Sequence, residues 1–387
     1  MPKKTFDEIY HVKEDYRRFD ARETAFGQAL KKTGKMLEFS SLESRAKRII
    51  SGRKGFSLLD YAFHDAAGMY ETPFGERHTQ DRGFYKWQSL GAAKKYPGVG
   101  KWEASPIEAS RIVKKAGMFY GAGDVGFAQL DKRWVYSHTR YGKPIVFDDV
   151  EEGYTNEEKA VIPESHKWVI VLTVPMDIDN FQYAPSATES ASSLGYSKMH
   201  FLAGMVAEFI RGLGYHAIPC GNDTALSVPM AVQAGLGHLG RHGRLITWSH
   251  GSMVRILKIF TDLPLDPSPM APEGIIQFCE TCMKCAKHCP SKALSFGERE
   301  HTGVCDANNP GSLKWYVDAE KCLEYWNTVE AGCGICFRVC AFNKKPGPLH
   351  DTVKWFIRNV PILNPLWIFA DEFIGYGKQL RPDMFWK

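Results

Sequence analysis

The sequence predicts a mixed fold, α+β or α/β: a regular body followed by a compact cysteine module. Three observations predict it. The middle of the chain runs strand, helix, strand. Nine of the ten cysteines lie between Cys279 and Cys340, and the first 219 residues hold none. A linker with Pro264, Pro267, Pro269 and Pro272 separates the two parts. The 387 residues allow two or three domains, or one elaborated domain. With 24% charged and 44% hydrophobic residues, global disorder, collagen and coiled-coil architectures are excluded. The net charge of +5 is spread along the chain and is a weak footprint for nucleic acid.

Residues 1–105 form an aromatic-rich N-terminal unit. Ser41–Ile50 reads as a short helix, with Ser40 and Glu43 at capping-box spacing. From Tyr70 to Trp102 the chain is rich in Gly and aromatics, including Phe74, Phe84, Tyr85, Trp87 and Tyr96. Residues 106–263 form the body. Pro106 opens a helix to Lys115. Trp168–Pro175 is a continuous apolar run bounded by proline, as a buried strand requires. Met199, Leu202, Met205, Val206, Phe209 and Ile210 recur at helical spacing, so Tyr196–Gly214 reads as a helix. Tyr215–Cys220 follows as a strand, Ser227–Ala234 as a helix, and Gly243–Thr247 and Met253–Phe260 as strands. Residues 264–345 hold the cysteine module, and 346–387 a C-terminal arm that packs on the core. Packing is the bland reading of its lipophilic stretch Val353–Phe373; docking of a partner is the sharper one. Pro361 and Pro365 interrupt that stretch, and no apolar run reaches the ~18–20 residues of a spanning helix. Asp20 and Glu23 follow Arg17 and Arg18, so that pair reads as surface charge rather than a twin-arginine signal.

The cysteines carry the strongest motif. Cys279, Cys282, Cys285 and Cys289-Pro290 have the x2, x2, x3-Pro spacing of two-cluster ferredoxins. Short gaps let three thiolates converge on one face of a cubane, while the cysteine before proline turns to a second cluster. A second run, Cys322, Cys333, Cys336 and Cys340, completes the pattern with a stretched first gap and Ala341 in place of proline. The expected pairing is Cys279, Cys282, Cys285 and Cys340 on one [4Fe-4S] cluster. Cys289, Cys322, Cys333 and Cys336 hold the other. Zinc also takes four thiolates and stands as the alternative. Cys220 and Cys305 are left as free thiols.

Two clusters in series need an electron acceptor, which the cysteine-poor body must provide. Gly235, Gly237 and Gly240 match G-x-G-x-x-G, but a helix precedes them where a strand should, so a dinucleotide site is disfavoured. Their use is close approach of the backbone to a large cofactor, with His238 among them. Arg255 stands among Val254, Ile256, Leu257 and Ile259, where an unpaired charge is costly. A salt bridge to Asp223 or Asp262 is the plain explanation. Tyr196 alone reads as a packing residue. Phe84, Trp102, Phe119 and Trp134 are candidates for an apolar pocket wall, or for ordinary core.

The stretches Gly221–Thr224, Ser227–Ala231, Ala234–Arg241 and Phe260–Pro264, with the Cys279 motif, resemble the respiratory reductive dehalogenases from about Trp168 to Cys340. The resemblance implies a nitroreductase-like core that binds base-off cobalamin beside a ferredoxin-like domain with two [4Fe-4S] clusters. The chain has no Asp-x-His-x-x-Gly motif, which agrees with a cobalt lacking a histidine ligand from the protein. In this reading Tyr196 is the proton donor, Arg255 supports its phenolate, and Asn222 orients the halide or substrate. Cob(I)alamin removes halide from a small chlorinated alkane or alkene. The resemblance further implies an electron donor, a membrane anchor protein and a place on the outer face of the cytoplasmic membrane. A homodimer is an open state, and no nucleic acid partner is expected. The chain shows no leader, so it reads as a mature form or as a non-exported, cytoplasmic member. Two alternatives remain: an epoxyqueuosine reductase-like enzyme acting on tRNA, and a non-catalytic iron–sulfur electron carrier.

Overall fold

The computed structural model describes residues 4–69, 81–94 and 96–387, so Tyr70 and Phe74 lie outside the described residues. The strands are β1 (Asp124–Gln129), β2 (Ile145–Asp148), β3 (Tyr154–Thr155), β4 (Ala160–Pro163), β5 (Trp168–Pro175), β6 (Ala217–Cys220), β7 (His238–Leu239), β8 (Leu245–Ile246) and β9 (Val254–Thr261). Helices α1 (Phe6–Tyr10), α2 (Ala25–Thr33), α3 (Leu42–Ile50) and α4 (Leu58–Ala67) precede β1, as does α5 (Pro106–Phe119). Helix α6 (Ser186–Gly212) links β5 to β6, and α7 (Ser227–Gln233) follows β6.

The main sheet has the order β1-β5-β9-β6, with every neighbouring pair antiparallel. Both β5 and β6 run against β9, so they are parallel to each other and α6 crosses over between them. The expected strand–helix–strand unit is therefore present, with a later strand inserted through its middle. One face of the sheet packs Val125, Ile170, Leu172, Leu257 and Ile259 on α5 and α6 through Val113, Met199, Leu202 and Val206. Burying each such side chain contributes about 1.5–3 kcal/mol. The other face packs Val169, Val171 and Phe260 against α7, the β7–β8 hairpin and the cysteine module.

That second core runs from Phe6 in α1 to Ile357 near the C-terminus, so all four predicted segments contribute to it. The module contains α8 (Gly274–Thr281), α9 (Lys284–Lys287), α10 (Ala319–Val329) and α11 (Ile335–Arg338). The C-terminal arm folds as α12 (Pro348–Asn359) and α13 (Asn364–Ile374). It packs Val353, Ile357, Trp367 and Ile368 into the core shared with Phe278 of α8, not onto the α5–α6 layer. No described helix is long and apolar enough to cross a membrane.

Several local expectations need correction. Helix α6 begins ten residues before Tyr196. Its first part is mostly Ser, Ala, Thr and Gly, with Glu189 and Leu194 among them; it shows no apolar stripe yet is mostly buried. The cap of α3 is Ser41, whose hydroxyl accepts the Ser44 N–H, rather than Ser40 with Glu43. Helix α5 continues past Lys115 to Phe119, and Gly117 lets it approach Leu172 and Val125 closely. Arg18 is half-buried, and its guanidinium donates to the carbonyls of Val135, Tyr136 and Ile145.

Candidate active site

Tyr196, Asn222 and Arg255 meet. Tyr196 sits midway along α6 and is 9% exposed. On β9 the alternation of side chains puts Arg255, Leu257 and Ile259 on the α6 face. Gly195 leaves room for the arginine, since a Cβ there would stand 3.1 Å from Arg255 Cγ. The Arg255 guanidinium carbon lies 4.1 Å from the Tyr196 ring centroid, and its Nη1 donates to the phenol oxygen at 3.3 Å. Asn222, just past β6, donates its Nδ2–H to the same oxygen at 2.8 Å. The salt-bridge alternatives for Arg255 are otherwise engaged. Asp223 accepts the Gly221 N–H at 2.7 Å and the Thr224 hydroxyl at 2.9 Å. Asp262 accepts the His216 N–H at 2.7 Å and lies 3.7 Å from Lys101.

These three residues line a cavity of about 920 Å³. Ligand pockets run to about 300–1,000 Å³, so this one suits a large cofactor. Its lining also includes Cys289, Cys322, Cys333 and Cys336. His242, Arg140 and Trp326 also line it. Among the described residues, His242 Nε2, Arg140 Nε, Trp326 Nε1 and Arg255 Nε are buried without a hydrogen-bond partner. Burial pushes the His242 imidazole down to about 3, so it is neutral. Its Nδ1 accepts the Arg244 N–H at 3.2 Å, which leaves a proton on Nε2. Buried donors without acceptors are rare and point to a ligand. A corrinoid, with its rim of amide carbonyls, fits both the volume and these donors.

The thiols influence one another in two groups. The thiols acting on Cys279 are Cys282 and Cys340, and those acting on Cys285 include all three of its expected partners. Cys289, Cys322 and Cys333 act on Cys336. Cys336 also acts on Cys285, so the two quartets adjoin there. Burial pushes every one of these shifted thiols up, Cys336 to about 12 and Cys340 to about 11. Bare thiols here hold their protons, which metal binding displaces. The residues fit two clusters, the one at Cys289, Cys322, Cys333 and Cys336 facing the cavity.

Gly235, Gly237, His238 and Gly240 are not brought to the cavity. Gly235 has φ +73°, and a Cβ there would meet the Pro269 carbonyl oxygen at 2.2 Å. At Gly237 it would meet the Ile246 carbonyl oxygen at 2.0 Å. The close approach these glycines permit is therefore chain to chain. His238 is fully buried, accepts the Tyr10 hydroxyl at Nδ1 (3.1 Å) and donates from Nε2 to the Ala271 carbonyl (2.9 Å). It ties α1, the hairpin and the linker together. The lining residues His242 and Arg244 come just after this run, at the turn of the hairpin. The aromatic wall also differs from expectation. Phe84, Trp102, Phe119 and Trp134 are absent from the lining, and Trp134 is core while Phe119 is 85% exposed. Phe39, Tyr61, Phe181, Tyr325, Trp326 and Phe337 form the wall instead. Sequence reading also missed Arg241, which is buried, donates to the carbonyls of Cys279, Ser295 and Gly297, and stacks 4.7 Å from the Trp315 ring.

Comparison with known proteins agrees with this geometry. Residues 34–142 and 137–265 match the family model for the reductive dehalogenase subunit. Residues 278–343 match the 4Fe-4S double cluster binding domain. A tetrachloroethene reductive dehalogenase of Sulfurospirillum multivorans is 37% identical over 78% of this chain and 62% of its own length. One from Desulfitobacterium hafniense is 35% identical over 78% of this chain and 60% of its own. The chain thus spans about 60% of the length of these relatives. The solved structure of the catabolic reductive dehalogenase NpRdhA (K488Q variant) superposes with a TM-score of 0.70 at 22% identity, covering 95% of this chain and 47% of that one, and shares the fold. Because the subunit model alone spans well over half of its residues, the chain belongs to the reductive dehalogenase family.

Proposed function

We propose that the chain removes halide from a small chlorinated hydrocarbon, a chlorinated ethene foremost, with electrons delivered through two [4Fe-4S] clusters to a corrinoid in the cavity. One observation carries the proposal: Tyr196 and Cys289, Cys322, Cys333 and Cys336 line one cofactor-sized space. The reaction is R–X plus two electrons and one proton giving R–H plus X⁻. When bound, a corrinoid would supply a strongly reducing cobalt able to open the carbon–halogen bond. The residues supply position, exclusion of water and the proton. Tyr196 gives its phenolic proton to the carbon. Arg255 stabilises the phenolate left behind, because a nearby cation favours the ionised form. The Asn222 amide fixes the direction of the phenol oxygen. Phe39, Phe181 and Phe337 keep the cavity apolar enough for a halocarbon. His242, Arg140 and Trp326, whose buried donors lack partners, would hold the corrinoid. A separate electron donor and a membrane anchor on the outer face of the cytoplasmic membrane belong to the same proposal, resting on the family resemblance.

The test is anaerobic reconstitution with iron, sulfide and cobalamin, followed by metal analysis and chloride release from chlorinated methanes, ethanes and ethenes under a low-potential donor. The expected result is about eight iron and one cobalt per chain, with chloride release fastest from the ethenes. A protein that takes up iron and sulfide but no cobalt overturns the proposal in favour of an electron carrier. Tight, salt-sensitive binding of tRNA favours the tRNA-modifying reading.

A further inference from the structure

Lys258 lies in the middle of β9 and is fully buried. An ammonium there is costly, and an apolar residue would serve the sheet better. Its contacts show what it does. Nζ donates to the Gly221 carbonyl, to the Ala225 carbonyl at 3.0 Å and to the Ser227 hydroxyl at 2.9 Å. Those three acceptors bracket residues 221–227, the loop that carries Asn222. The same loop holds Thr224 at φ +63°, a left-handed conformation that a β-branched residue rarely adopts unless its surroundings impose it. Asp223 closes the loop onto its own Gly221 N–H. Lys258 and Arg255 project from opposite faces of β9, three residues apart. One reaches the Tyr196 hydroxyl directly; the other reaches the loop whose Asn222 donates to it.

We infer that Lys258 is a positioning residue: it clamps the 221–227 loop to β9 so that Asn222 meets the Tyr196 hydroxyl, and both donors on that oxygen are thereby referenced to one strand. This deepens the dehalogenase reading for its catalytic consequence, but the geometric claim stands without it. Burial lowers the lysine's proton affinity, with Cys220 and Asp223 opposing.

The first test is structural and independent of turnover. Lys258→Met keeps the aliphatic volume and removes the ammonium. Its crystal structure, set beside that of the unaltered protein in the same crystal form, should show Asn222 Nδ2 withdrawn beyond hydrogen-bond distance from Tyr196 Oη. An unchanged contact overturns the inference whether or not the protein dehalogenates. The second test is a double-mutant cycle in kcat on holoenzyme with verified cobalt and iron. Lys258→Met should lower kcat on the order of 100-fold, the cost of a small misplacement. In an Asn222→Ala background it should lower kcat hardly further. Additive losses identify a merely structural lysine and overturn the inference. If Lys258→Met does not fold, Ser227→Ala removes one of the three acceptors, and a lengthened Asn222–Tyr196 contact supports the inference as an unchanged one opposes it. Failure of the unaltered holoenzyme to release halide from any halocarbon removes the dehalogenase reading and leaves the structural test to decide the clamp.

Discussion

The two cysteine quartets, drawn from runs alike apart from the stretched gap before Cys333, differ in setting. Cys279, Cys282 and Cys340 are part of the main core, and Arg241 pins the backbone beside them. Next to Cys285, Lys284 is almost wholly buried and pairs with Asp371 of α13, while Lys344 reaches the other oxygen of Asp371 at 2.8 Å. Lys284, Lys344 and Asp371 thus sit against this quartet. Cys289, Cys322, Cys333 and Cys336 instead line the cavity, and only Cys289 of the four is buried outright. Cluster potentials depend on local charge, hydrogen bonding and exposure. The two runs therefore yield two unlike sites: one shielded in the core, one open to the ligand space.

The comparison breaks most directly at the ligands. Cys336→Ala should lose half the iron and all halide release, while EPR of the remaining cluster survives; Cys285→Ala should be equally inactive but retain the cavity-facing cluster. Loss of both spectra from either variant would mean that the quartets fold as one unit. Tyr196→Phe comes next. Removing a positioned proton donor costs roughly 10²–10⁴-fold in turnover, with cobalt content and both cluster spectra unchanged. Full activity in this variant would remove Tyr196 from the proton step. A finer comparison concerns charge. Lys344→Met should lower the midpoint potential of the shielded cluster, and Asp371→Asn should raise it, with the cavity-facing cluster nearly still. Equal shifts in both clusters, read by EPR-monitored titration, would deny the difference in setting.

The smallest expected effect lies in the body, remote from both quartets. Burial alone would raise the Glu208 carboxyl, but the Ala93 N–H, Arg211, the Leu90 N–H and Ser89 together bring it down to about 2 from an ordinary 4.5. A carboxyl depressed on folding stabilises the native state above its unfolded value and loses that contribution as pH falls through its folded value. Glu208→Gln should therefore lower Tm by several degrees at pH 7, with the gap to the unaltered protein narrowing from about pH 4.5 toward pH 2. A gap that stays constant with pH would assign the loss to packing.

How much of this was legible in the sequence follows the range of each constraint. Cluster ligands obey local spacing, so the double-cluster domain was readable before any fold was known. Trp168–Pro175 was readable because a buried strand needs nothing but apolar residues and an end. The start of α6 was hidden, because Ser186–Gly195 packs small side chains against other segments and shows no stripe of its own. The glycines from 235 to 240 misled for a related reason: glycine marks close approach, but not whether ligand or chain approaches. The aromatic wall was misplaced because core and cavity draw on the same residue types. Tyr196, Asn222 and Arg255 were found through resemblance, and only the fold explains why they meet.

The insertion of β9 between β5 and β6 has a consequence for biosynthesis. As the chain leaves the ribosome, Tyr196 and Asn222 emerge long before Arg255 and Lys258, and the central gap of the sheet stays open until residue 261 is made. The constellation on the phenol oxygen is thus completed late, within about twenty residues of the first cluster ligand, Cys279. Both quartets need ligands as far on as Cys336 and Cys340, about 75–80 residues beyond residue 261, so synthesis closes the body and its reactive wall before either cluster has its last ligand.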